Sequence, residues 1–229
     1  MNIKFRAMVS GIVLCAMAVS GCRSTGSAGI SSAPGRTAVD IRIAQLQQEL
    51  GKKWENPAAH YELGQLYHSE GNWSKADWHY DQAISFNPVY REAQAAKVKM
   101  QLDKGDRSKS EYLANMYISQ AASSPEQLLS LGAAFEKQRL NDYALRCYET
   151  ALKMAPDSAP VNKQMGYYYL TNNKPEQAKD FFIRSFQLNP NQADIAGELG
   201  KLGVAVRIPQ AEAPPTNPTS PTVKPPTQP

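Results

Sequence analysis

The same landmarks return every 34 residues. Leu63, Gly64, Tyr67, Ala76, Tyr80, Ala83 and Pro88 form one set. Two strides on, the set reads Leu131, Gly132, Phe135, Ala144, Tyr148, Ala151 and Pro156. One stride further it reads Met165, Gly166, Tyr169, Ala178, Phe182, Ser185 and Pro190. No residue is inserted or deleted between the sets, so small and aromatic positions stay in phase. A repeat of this length is one supersecondary unit that cannot bury its apolar face alone, so neighbouring units must stack to complete it.

The pattern resembles the tetratricopeptide repeat, and the recurrence in register makes the match specific. The resemblance implies an all-α fold, a superhelical solenoid of antiparallel helix pairs. Gly64, Gly132 and Gly166 would then lie mid-helix, where glycine weakens a helix. Close approach by the partner helix is the expected compensation, with Ala76, Ala144 and Ala178 as the small surface opposite. Tyr67, Phe135 and Tyr169, with Tyr80, Tyr148 and Phe182, are expected to fill the space between pairs. Pro88, Pro156 and Pro190 end the second helices, because proline cannot continue the backbone bonding.

The repeats divide the chain. Residues 57–90 form the first repeat, started by Asn56-Pro57, an Asx cap followed by proline at the first helical position. Gly71-Asn72 turns the chain and Trp73–Phe86 is its second helix. Residues 91–124 are a degenerate second repeat, with Lys97 where leucine is expected and Val98 where glycine is expected. Gly105 still falls one stride after Gly71; a non-repeat helical insertion is the alternative. Residues 125–158 form the third repeat, capped by Ser124, with Asn141 placed to cap its second helix. Residues 159–192 form the fourth, with Ser158 as cap and Asn172-Asn173-Lys174-Pro175 as internal turn. Before the repeats, Ile41, Leu46 and Leu50 give residues 38–56 the pattern of a capping helix that Gly51 could stop, the second helix of a decayed repeat being the alternative. After them, residues 193–208 carry Leu199 and Gly200 in the same register, a terminal half-repeat that Gly203 could end.

The flanks have different composition. Lys4 and Arg6 precede an apolar run, Ala7–Val19, too short to span a bilayer comfortably. It leads into Val19-Ser20-Gly21-Cys22, which resembles the bacterial lipobox. That resemblance implies a signal peptide over residues 1–21 and lipidation of Cys22; an ordinary secretory signal that happens to hold a cysteine is the alternative. Acyl chains anchor through about 0.8 kcal/mol per buried methylene. Arg23, where family members retained in the inner membrane carry aspartate, implies an outer-membrane address facing the periplasm. Residues 22–37, rich in Ser, Gly and Ala, read as a flexible tether. Residues 209–229 hold 8 prolines and four threonines, a disordered composition that favours polyproline II and builds no core.

The sequence offers no paired carboxylates, nucleophile with base, or phosphate loop at an informative spacing. No enzyme activity, cofactor or metal is expected. His60, His68 and His79 read as surface or half-buried side chains. Cys147, the one cysteine outside residues 1–22, reads as a small buried hydrophobe rather than a reactive thiol. The net charge of +4 falls to about +2 once Lys4 and Arg6 leave with the leader, too little bias to argue for nucleic acid.

The family's geometry places groove side chains two, five, six, nine and twelve positions into each repeat. Those positions here include Tyr61, Gln65, Lys99, Leu129, Lys163, Tyr167 and Leu170, a mixed surface with apolar spots suited to an extended or helical peptide. Chaperone-binding members use a lysine and asparagine clamp. Position nine here is Gln65, Lys99, Ala133 and Tyr167, without asparagine. The resemblance to lipid-anchored repeat proteins implies a protein-binding scaffold for a type IV or Tad-like pilus or secretion machine. An adaptor of peptidoglycan enzymes and a self-associating envelope protein are the alternatives. Partners are therefore a protein segment, the membrane through Cys22, and a second copy. Cys22→Ala is expected to release the chain from membranes; an unmodified Cys22 in the mass spectrum of the native protein contradicts the lipid anchor.

Overall fold

The computed structural model describes residues 37–209. The expected leader, most of the tether with Cys22, and the proline-rich segment from residue 210 lie outside them. Among the described residues there are ten helices and no strand. They are α1 (Ala38–Lys52), α2 (Pro57–Ser69), α3 (Trp73–Phe86), α4 (Arg91–Asp103), α5 (Arg107–Ala121), α6 (Pro125–Lys137), α7 (Asn141–Met154), α8 (Ala159–Thr171), α9 (Pro175–Leu188) and α10 (Ala193–Lys201). The starts of α2, α4, α6, α8 and α10 are each 34 residues apart, and so are those of α3, α5, α7 and α9. The chain is thus an all-α solenoid of paired helices, and the degenerate stretch keeps the stride.

Local signals set most boundaries. The side chains of Asn56, Asn72, Asp106 and Ser124 accept from backbone N–H groups of the first turns of α2, α3, α5 and α6. Two expected caps differ. Asn141 is the first residue of α7, not its cap, and its Nδ2 donates to Asn172 Oδ1 instead. Ser158 holds the cap position of α8 without a side-chain cap bond. Pro88, Pro156 and Pro190 stand just past the ends of α3, α7 and α9. Gly51 does not stop α1, which runs to Lys52, and Ile41 is exposed while Leu46 and Leu50 face the core.

The turn inside each pair repeats as well. Gly71, Gly105, Arg139 and Asn173, all one stride apart, have φ of 71°, 92°, 59° and 57°. Each turn closes with a backbone bond from the residue that follows to the last turn of the first helix, such as Asn72 N–H to Tyr67 C=O at 2.8 Å. Arginine adopts the left-handed conformation reluctantly, so position 139 keeps a backbone shape that sequence alone would have assigned to glycine.

Packing within a pair centres on the glycines. A methyl on Gly64 would lie 2.6 Å from the ring of Tyr80, and the rings of Tyr148 and Phe182 sit closer still to Gly132 and Gly166. The partner of each glycine is therefore the aromatic residue 16 positions on, in the same repeat, rather than the expected alanine. Ala76, Ala144 and Ala178 lie one turn earlier on the same helices and are fully buried. Tyr67, Phe135 and Tyr169 also meet the second helix of their own pair, against His79, Tyr143 and Phe181. The aromatics therefore bind helices into pairs more than they bridge between pairs.

The second repeat solves the same packing by exchange. Val98 stands where glycine is expected and Ala114 where the ring is expected, and both are fully buried in one core cluster. The bulk has moved from the second helix to the first. Beside it, Lys97 is buried and ion-paired with Asp81 and Asp77 of α3. Three apolar clusters then run along the stack. The first joins α1 through α4, the second α4 through α8, and the third α8 through α10. Leu202, Val204 and Val206, beyond α10, pack on the last cluster. Cys147 is fully buried, and burial pushes its thiol up to about 12, consistent with a packing role.

Gly132→Leu is expected to lower stability by about 2 kcal/mol or more through overpacking against Tyr148. The pair Gly132→Val with Tyr148→Ala, which copies the second repeat, is expected to be more stable than Gly132→Val alone. Thermal melts of the double-mutant cycle measure the coupling, and additivity of the two changes would contradict the packing described.

Candidate functional site

The first helices α2, α4, α6 and α8 carry the groove residues. Tyr61, on α2, packs its ring 5.2 Å from Tyr90 and 6.2 Å from Tyr80. Its hydroxyl accepts from Gln65 Nε2 at 2.9 Å, and burial pushes it up to about 12. Glu62 is taken by Arg42 of α1, whose Nε and Nη2 lie 2.6 and 2.7 Å from its two carboxylate oxygens. This bidentate pair ties α1 to α2.

Gln65 lines a cleft of about 360 Å³ together with His68, Tyr80, Ala96 and Asp103. Asp103 holds the local charge balance. It is ion-paired with Lys99 one turn back and lies 3.1 Å from His68 Nε2. Lys99 is therefore not a free cation for a carboxylate ligand.

Leu129, Lys163 and Tyr167 come together in a larger cleft of about 590 Å³ between α6, α8 and the start of α10. Lys163 Nζ is 2.5 Å from Asp194 Oδ2, and the Tyr167 hydroxyl donates to the same oxygen at 3.1 Å. Lys163, with Tyr167, holds the Asp194 carboxyl below the usual range. Burial first, and Asp194 second, push Tyr167 up to about 12. Gln164 Nε2, also in this cleft, donates to Glu136 Oε2 at 3.3 Å and to the Tyr148 hydroxyl at 3.2 Å. Tyr148 in turn donates to Glu136 at 2.6 Å. The packing ring over Gly132 is thus tied by its hydroxyl to the groove surface. Leu170, a groove residue by family position, packs instead against the terminal apolar cluster.

Six lining residues lie outside the family map as applied: Ala159, Asn189, Asn191, Gln192, Ala193 and Asp194. Asp194 sits one stride after Pro160, so carrying the same position rule into the half-repeat would have found it. The side chain of Gln192 is spent on Ser185 and the Asn189 carbonyl, which holds the junction of α9 and α10.

The histidines divide. His68 stays with Asp103 and Tyr80, while His60 and His79 meet with their Nδ1 atoms 3.1 Å apart. His60 Nε2 lies 3.2 Å from the Trp54 carbonyl, which can only accept. His60 therefore carries its proton on Nε2, and His79 donates from Nδ1 to His60 Nδ1. Among the described residues no group of three or more His, Cys, Asp or Glu is placed to hold a metal.

A model described as the tetratricopeptide repeat matches residues 161–192. The chain is 27% identical over 146 residues to the type IV pilus assembly protein PilF of Pseudomonas aeruginosa, covering 63% of this chain and 58% of that one. It is 27% identical over 142 residues to human protein O-mannosyl-transferase TMTC1, covering 60% and 16%. The match spans less than two thirds of either relative. A solved structure of Pseudomonas aeruginosa PilF shares 24% identity with a TM-score of 0.36, covering 64% of this chain and 67% of that chain. Among the described residues no helix is long and apolar enough to cross a membrane.

Burial, His60 and Lys75 hold the His79 imidazole down to about 4, and burial also lowers His60. Both are neutral in the folded chain, whereas in the unfolded chain they take protons below about pH 6.5. Their stabilisation is complete above that pH and is lost as pH falls toward about 4. The denaturation midpoint, followed by circular dichroism, is expected to decline across that window. His79→Gln is expected to flatten the decline, and an unchanged slope contradicts the assignment.

Proposed function

We propose that this tetratricopeptide-repeat chain is a lipid-anchored, protein-binding scaffold that serves the assembly of an envelope machine of the pilus type. It stands on the periplasmic side of the outer membrane and catalyses no reaction. The observation that carries this reading is the cleft of about 590 Å³ lined by Leu129, Lys163, Tyr167 and Asp194. Its lining combines apolar, aromatic and amide groups with the Lys163–Asp194 pair. That mixture suits a peptide or helix that inserts an apolar anchor and satisfies its polar groups at the rim.

The internal pairing of Lys163 with Asp194 supports recognition by shape and amide bonding over capture of a free carboxylate. The likeness to PilF, described as a type IV pilus assembly protein, supports the choice of machine. The lipobox-like run before Cys22 supports the anchor.

Tyr167→Ala is expected to weaken capture of the native partner by about tenfold, the scale of a lost aromatic anchor of 1–2 kcal/mol. Helicity should be unchanged, because Tyr167 is only half-buried. Co-purification from the native membrane, comparing the two proteins, measures this. Equal recovery of the partner with both proteins assigns the binding to another surface.

A further inference from the structure

A further cleft, of about 370 Å³, is lined by α5, the turn between α6 and α7, and the start of α7. It shares no residue with the cleft of about 590 Å³, and of its lining only Leu102 stands at a groove position. Arg107, Arg139 and Arg146 line it together with Glu111 and Asp142. Arg146 is committed within the fold. Its Nη1 donates to Glu111 Oε1 at 2.8 Å, its Nη2 donates to Asn115, and its guanidinium stands 5.8 Å from the centre of the Tyr143 ring. The Tyr143 hydroxyl first, and Arg146 after it, hold the Glu111 carboxyl below the usual range. Arg107 and Arg139 are exposed, and among the described residues neither guanidinium has a hydrogen-bond, ion-pair or ring partner. With Glu111 spent on Arg146, two guanidinium groups and the Asp142 carboxylate remain, a surplus of one positive charge.

Arg139 also carries a backbone cost. Its φ of 59° is left-handed, and the equivalent turns use Gly71, Gly105 and Asn173, residue types that adopt that conformation more readily. An arginine held there with no side-chain contact to the fold is local strain of the kind that gathers at binding positions. We infer that this cleft binds the carboxylate of an Asp or Glu side chain presented by a protein partner. Guanidinium forks match a carboxylate in a bidentate pair, and a surplus of one positive charge is what a monoanion neutralises. A phosphate group brings a charge of about −1.5 to −2 and would be repelled by Glu111 and Asp142. Leu102 and Leu140, which pack on the main apolar cluster, supply contact for an apolar residue beside the acidic one. The volume stands near the lower end of ligand pockets, room for a side chain and its adjoining peptide. This inference does not depend on the groove, and its failure would leave the Tyr167→Ala result untouched.

The test follows the arginine Nε–Hε resonances of the full chain by heteronuclear NMR. The probes are the blocked tripeptide acetyl-Leu-Glu-Leu-amide and its glutamine counterpart. The glutamate peptide is expected to move the Arg107 and Arg139 resonances saturably, and to bind at least about tenfold more tightly than the glutamine peptide. Arg139→Gly is expected to weaken the glutamate peptide by about tenfold while leaving the melting temperature equal or higher, because glycine relieves the left-handed turn. Arg107→Gln, at an exposed side chain, is expected to weaken it likewise with the fold unchanged. The absence of a saturable shift, equal affinity for the two peptides, binding that survives both substitutions, or a lower melting temperature for Arg139→Gly overturns the inference. Inorganic phosphate or phosphatidylglycerol vesicles that move both resonances when the glutamate peptide does not also overturn it, and give the cleft to a phosphate-bearing ligand.

Discussion

A ring packed against a glycine is the contact on which this architecture depends. At Gly64, Gly132 and Gly166 the absent side chain lets an aromatic residue of the partner helix approach to a distance that any Cβ would block. Glycine weakens the helix that carries it by about 1 kcal/mol. Burying a large ring against it offsets that loss, since aromatic side chains dominate the energetics of such cores. The spacing between helices in each pair follows from this contact, and so does the surface left on the other side. Where Tyr148 reaches past Gly132, its hydroxyl bonds Glu136 and Gln164 and so supports the groove directly.

The second repeat shows that the constraint is on volume and not on residue type. Val98 and Ala114 replace glycine and ring with two mid-sized groups, and the helices still begin on the stride. The same repeat buries an unusual share of polar side chains. Arg91 bonds Gln94 and Gln127, Gln94 bonds the Pro88 carbonyl, and Lys97 pairs with Asp77 and Asp81. Each of these is satisfied by a partner on a neighbouring element or turn, as burial requires. Contacts that the repeat lacks in aromatic packing are replaced there by directional bonds.

Much of this could be read in the chain itself. Periodicity located the helices, because a fixed stride with proline and Asx punctuation leaves little freedom in where they start. What periodicity does not encode is which atoms meet. It put the glycines and the rings on inward faces, but not ring against glycine, and it could not show that His60 and His79, on different helices, face one another. Arg139 hid a turn because the left-handed backbone there is imposed by its neighbours, not by its own preference. The groove was visible only in part. Lys163 and Tyr167 followed from family position, and Asp194 would have followed from carrying that rule one stride further, whereas Asn189 and Gln192 enter from a junction between helices whose geometry no repeat rule describes.

Gly200 carries the register of the three ring-bearing glycines, yet among the described residues nothing lies within 4 Å of where its methyl would be. The position 16 residues on, where a ring would be supplied, is Thr216, set among prolines. Among the described residues the stack ends without that ring, and Leu202, Val204 and Val206 pack on the apolar remainder. An array punctuated in this way is extensible. Lengthening it needs only a new helix bearing an aromatic residue at the right offset, so the number of repeats can drift without rebuilding any existing joint.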